Sequence, residues 1–96
     1  MITNDMKRTE ELHVIRAHLL HYASLLQDFK KSVKFVMNTP NPAMDALDEE
    51  ERKQSQEQLH TQCNNLLSEI ERLESWRDML DKRVKNVMDL VSLAFS

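Results

Sequence analysis

Few side chains in this sequence stand at spacings that do chemistry. His18 and His21 are three residues apart, which puts two imidazoles on one face of a helix, where they can share a divalent metal ion. His60 and Cys63 repeat that spacing with a thiol as the second group. No third ligand stands at matching spacing near the histidine pair, so solvated surface histidines are the plainer account. Cys63 falls at an apolar repeat position, where a small buried hydrophobe is its ordinary role. Carboxylates are more numerous. Glu69, Glu71, Glu74, Asp78, Asp81 and Asp89 make the second half acidic. Asp78 has like-charged neighbours at Glu74 and Asp81 on one helix face. A ridge through Asp78, Asp81 and Asp89 could hold a hydrated Mg²⁺ through one or two carboxylates, as a weak regulatory ion and not a required cofactor. Against this, Arg72, Arg77, Lys82, Arg83 and Lys85 lie three or four residues from many of these acids, the pattern of a solvated face. No Ser-His-Asp or Cys-His set stands where two helices would shield it, and without Gly no phosphate-cradling loop can form. The residues read as those of a non-enzyme.

The elements that carry these residues are defined by a heptad. Leu12, Ile15, Leu19, Tyr22, Leu26, Phe29, Val33 and Val36 recur at alternating steps of three and four. Leu59, Cys63, Leu66, Ile70, Leu73, Arg77, Leu80, Val84, Val87, Val91 and Ala94 form a second such run, with one polar break at Arg77. Each run puts an apolar seam on one helix and demands a facing helix. The fold class expected is all-α: a long antiparallel two-helix coiled-coil hairpin, oligomerising through its seams. Arg77 would fix register or copy number. Trp76, the only Trp, would anchor an inter-helix contact.

Composition agrees. The chain has 96 residues, no Gly and 2 Pro, with 41% hydrophobic and 30% charged residues, a long-helix composition that allows one domain. Aromatics at 5% are too few for a globular aromatic core. A lone hairpin of this size has no third layer, so self-association or attachment to a larger body is expected. The net charge of −3 gives no basic surface for nucleic acid. Lys30, Lys31 and Lys34 are the nearest to a cluster, and read instead as complements to the end of a helix dipole. A single cysteine excludes an intrachain disulfide and suits a reducing, cytoplasmic compartment. The first residues, MITNDMKRTEEL, lack the apolar core of a secretory signal, and no run approaches the ~20 apolar residues of a membrane span.

Along the chain, a frayed start to about residue 6 precedes helix one, over about 7–37 and on the order of 45 Å long. Asn38-Thr39-Pro40-Asn41-Pro42 stops it, and Asn41 before Pro42 reads as a cap with Pro at the first position. Residues 38–55 are expected to be a turn and acidic linker, with a loosely attached short helix or turn over about 43–53. Carrying the heptad back from Leu59 meets only Gln56, Arg52, Glu49 and Asp45. Helix two is expected from about 56 to 95, roughly 60 Å, its excess length projecting past the hairpin.

The run NLLSEIERLESWRDMLDKRVKNVMDLVSLAFS, together with ELHVIRAHLLHYASLLQDFKKSVKFV ahead of NTPNP, resembles the cytoplasmic helices that precede the membrane segments of CorA-like magnesium transporters, especially their divergent fungal branch. The most specific pieces are Leu66-Leu67-x-x-Ile70-x-x-Leu73 and Arg83-Val84-x-Asn86-Val87-Met88-x-Leu90. The resemblance covers about residues 10–40 and 59–96. It implies a helix packed antiparallel on a long stalk helix, five copies forming a funnel, and a role in assembly and gating at the cytoplasmic face of a membrane. It also implies regulatory Mg²⁺ between neighbouring domains, for which Asp78, Asp81 and Asp89 are the acids at hand. The family's Gly-Met-Asn pore signature cannot be present without Gly, and both membrane spans are missing, so transport by these 96 residues alone is not expected. The partners implied are further copies and the remainder of a transporter. The alternative is a free-standing coiled-coil interaction or oligomerisation module. A third reading makes VMDLVSLAF an interfacial membrane foot.

Overall fold

With Gly absent and both prolines at 40 and 42, the chain has one place to stop being a helix. The computed structural model, which describes residues 2–95, breaks it there. Helix α1 spans Ile2–Asn38, a 3₁₀ helix follows at Pro42–Ala46, and helix α2 spans Glu49–Phe95. Thr39 N–H still donates to the Phe35 carbonyl at 2.9 Å, after which Pro40 offers no donor. Asn41 Oδ1 accepts the Ala43 N–H at 3.0 Å with Pro42 at the first turn, the cap that the Asn-Pro pair announces.

Helix α2 begins earlier than the heptad suggests. Asp48 Oδ1 accepts the Glu51 N–H at 2.8 Å, and the Asp48 carbonyl accepts the Arg52 N–H at 2.9 Å. Glu49, Glu50 and Glu51 fill the first turn, where negative charge meets the positive end of the helix. So residues 49–55, expected within a linker, are helical. Nor does the turn hang loosely. The half-buried Arg52 donates from Nε to the Met44 carbonyl at 3.2 Å and from Nη2 to the Leu47 carbonyl at 3.3 Å, tying the 3₁₀ helix to α2. At the other end α1 reaches back to Ile2, past the start expected near residue 7.

The helices run antiparallel. Arg16 meets Asp81 and Lys30 meets Glu74, so chain direction reverses across the pair. From the Arg16–Asp81 contact, α1 continues to Ile2 and α2 to Phe95 over equal numbers of residues, which brings those ends level. The longest dimension of the molecule is 71 Å, which is about the length of α2 by itself at ~1.5 Å per residue. The expected projecting stalk is therefore absent. The extra turns of α2 lie at the closed end, where the 3₁₀ segment folds back on them.

Burial is confined to one line. Among the described residues, Leu19, Val33, Cys63 and Ile70 are the buried hydrophobic ones, with Ile70 only 1% exposed. Val33, Cys63 and Ile70 form a cluster, with Leu26, Met37, Leu59 and Leu67 packed against it. Leu12 and, on α2, Arg77, Val84 and Val91 extend the line half-buried. No strand occurs among the described residues.

Candidate functional site

The structure splits each predicted seam in two. Leu12, Leu19, Leu26 and Val33 on α1, with Leu59, Cys63, Ile70, Arg77, Val84 and Val91 on α2, face the partner helix. Ile15, Tyr22, Phe29 and Val36 do not: each is about half exposed. Leu66, Leu73, Leu80 and Val87 on α2 are likewise exposed, as are Ala94 and, at 57%, Trp76. Their expected places between the helices are taken by Arg16, Ala23, Lys30 and Met37 on α1, and by Leu67, Glu74, Asp81 and Met88 on α2.

The physical reason lies in the width of the apolar stripe. Each helix has a central apolar row, an apolar edge on one side and a mixed edge on the other. In an antiparallel pair only one edge of each helix can close against its neighbour. The mixed edges carry opposite charges at matching levels. Arg16 Nε lies 3.4 Å from Asp81 Oδ1, and Lys30 Nζ lies 3.2 Å from Glu74 Oε1. Both pairs are partly exposed, so each contributes less than about 1 kcal/mol.

With the charged edges closed, both apolar edges are left on the opposite side of the hairpin. They flank one groove, lined by Leu19, Tyr22, Leu26, Leu73, Trp76 and Leu80, with Arg77 at its floor. Arg77 is the polar break in the heptad, and the structure gives it an anchoring role. Its Nη1 donates to the Leu19 carbonyl of α1 at 3.2 Å, while Nε and Nη2 donate to Asp78 Oδ1. A cation at this level is therefore held by both helices. The inter-helix bond to Leu19 has no signature in the sequence beyond the break itself.

The remaining candidates separate. Asp78 is turned to Arg77 and Asp81 to Arg16, while Asp89 stands exposed further along α2. Among the described residues, no three or more His, Cys, Asp or Glu side chains gather as a metal site. His18 and His21 are both exposed, and the His21 ring is tilted 42° to Tyr22 at 6.5 Å between centroids. His60 is exposed while Cys63 is buried in the core cluster, so their spacing does not become a shared site. Lys30, Lys31 and Lys34 all precede the last turn of α1, where the dipole is felt, and Lys30 serves Glu74. No helix among the described residues is long and apolar enough to cross a membrane. In VMDLVSLAF, Met88 and Val91 turn to the hairpin, whereas Leu90 and Leu93 are exposed. Compared with known protein families, with curated proteins and with solved structures, the chain matches none of them.

Proposed function

We propose that this protein is a helical interaction module, a hairpin whose work is to present one apolar face to another helical surface. The observation that carries this reading is the paired row of exposed residues, Ile15, Tyr22, Phe29 and Val36 beside Leu66, Leu73, Leu80 and Val87. Scattered exposed hydrophobes are ordinary, but contiguous rows that repeat every seven residues along two adjacent helices are the pattern of an unfilled helix-packing surface. A photo-crosslinking residue placed at Leu73 or Tyr22, in the protein's own cells, should give a discrete adduct. The same residue at Phe35, on the opposite side of α1, should give none. Equal labelling from both sides would refute the reading.

A second reading follows the transporter resemblance and rests on the antiparallel packing of a shorter helix along a longer one. It makes the hairpin the cytoplasmic assembly and gating part of a CorA-like transporter, with Asp78, Asp81 and Asp89 answering to Mg²⁺. Since Asp78 and Asp81 already face Arg77 and Arg16, an ion would have to compete with those cations. Millimolar Mg²⁺ should then shift association or melting, and Asp78→Asn with Asp89→Asn should abolish the shift. No response to the ion in the unmutated chain would end this reading.

A further inference from the structure

We infer that the occupant of the apolar face is a second copy of this chain, so that two hairpins close into a four-helix bundle. The inference rests on the interaction-module reading and names its partner. Three observations carry it. The first is incompleteness: among the described residues, the buried hydrophobic ones are Leu19, Val33, Cys63 and Ile70, all on one line between two helices. A stable domain needs its apolar faces covered by a further layer, and two helices have none to give.

The second is continuity. The exposed rows belong to the same heptads as the buried line: Ile15, Tyr22 and Phe29 alternate with Leu12, Leu19 and Leu26, and Leu66, Leu73 and Leu80 alternate with Cys63, Ile70 and Arg77. A second copy presents the same heptad rows on the same antiparallel pair of helices, the kind of surface the hairpin already packs against within the chain. Two such faces brought together about a two-fold axis set helix rows against helix rows of equal length, the arrangement of bundle cores.

The third is size. Eight aliphatic and aromatic side chains with the neighbouring Trp76, each about half exposed, offer on the order of 800 Å² per copy, which is the area one partner contributes to a standard stable interface. A short peptide or small ligand would leave much of the face uncovered, since its rows run from Ile15 to Val36 and from Leu66 to Val87, each on the order of 30 Å long. A copy of equal length covers it.

Sedimentation equilibrium of the full chain, over roughly micromolar to 100 µM, tests this. The mass expected is twice 11.3 kDa. Tyr22→Glu with Leu73→Glu should halve it. Phe35→Glu with Met79→Glu should leave it doubled, since these residues stand two positions on from Val33 and Arg77, on the opposite side. Because the first pair could unfold the chain, the unmutated protein supplies an independent measurement. Trp76 is the only Trp, and its quenching by acrylamide should increase several-fold on dilution through the dissociation range. A single-chain mass at 100 µM with unchanging Trp76 quenching overturns the inference, as does any mass other than twofold or loss of association in the Phe35/Met79 variant. If the chain is single in solution while Tyr22 and Leu73 still crosslink to another protein in cells, the second copy is refuted and the interaction face stands. If neither face position crosslinks, both fall.

Discussion

Ile70 and Arg16 lie on the same interface yet hold it in different ways. Ile70 is 1% exposed, inside the cluster with Val33 and Cys63. Shortening it to Ala removes three buried carbons and leaves a void that a line of side chains one layer thick cannot collapse to fill. Ile70→Ala should lower stability by about 2–5 kcal/mol, read from urea unfolding at one fixed protein concentration. Arg16 pairs with Asp81 at 3.4 Å with both side chains partly in solvent, so Arg16→Ala should cost less than about 1 kcal/mol. That smaller loss should shrink further in ~1 M salt, where screening acts over about 3 Å. If Arg16→Ala proved as damaging as Ile70→Ala, charge and not burial would hold the hairpin together. Arg77 is the residue between these extremes. Its aliphatic stem fills a core position while its head bonds the Leu19 carbonyl, which lets a charge sit in the heptad with its donors used.

At the scale of the helices, the first turn of α2 is capped by one side chain, while Arg52 ties that turn to the 3₁₀ helix. Asp48 accepts the Glu51 N–H, and three glutamates fill the turn that follows, while no apolar row reaches back this far to hold it. Asp48→Ala should therefore cost about 1 kcal/mol, expressed locally as faster amide hydrogen exchange over residues 49–55 with residues 63–84 unaffected. Uniform loss of protection along α2 would mean that this end is held by something other than its cap. The break at Pro40 and Pro42 and the Asn41 cap before Pro42 were legible, because both are local and depend on backbone donors and dihedrals, whereas this cap lay inside the expected linker 38–55 and was missed, since no apolar row follows it until Leu59. The central packing row was legible too: Leu19, Leu26, Val33, Cys63 and Ile70 all repeat at heptad spacing. What the heptad does not say is which edge of a wide apolar stripe meets the partner inside the chain. On the edge that closes, Arg16 meets Asp81 and Lys30 meets Glu74, partners more than forty residues apart in sequence. Period alone carries no information about such pairs, so the exposed face follows from the pairing and not from the pattern. The level ends of the hairpin were hidden for the same reason, since they follow from register.

For the molecule as a whole, both the buried line and the exposed face follow from one arrangement: α1 packs on the α2 of its own chain. The ten residues from Thr39 to Asp48 must then turn the chain through about 180°, which the Asn41-capped 3₁₀ helix and the Arg52 bonds to Met44 and Leu47 accomplish. An opened chain could make identical helix contacts with a second copy, because domain swapping preserves every interface except the hinge. Prolines in the connection stiffen it without fixing its direction. The two arrangements differ enormously in one distance. Glu10 and Leu90 adjoin the half-buried Thr9 and Val91, near the open end of the hairpin. Spin labels at these two sites, on a Cys63→Ala background, should lie within about 30 Å of each other, given helix axes ~8–10 Å apart and the reach of the labels. In an opened chain they would be separated along the helices by on the order of 100 Å. Double electron–electron resonance on labelled chain diluted into a large excess of unlabelled chain reads only the distance within one molecule. A short distance that survives dilution places the hairpin within a single chain and makes the apolar face a surface between folded units. A short distance that disappears on dilution would show that the copies exchange α1, and the second chain would then be required for the buried line as well as for the exposed one.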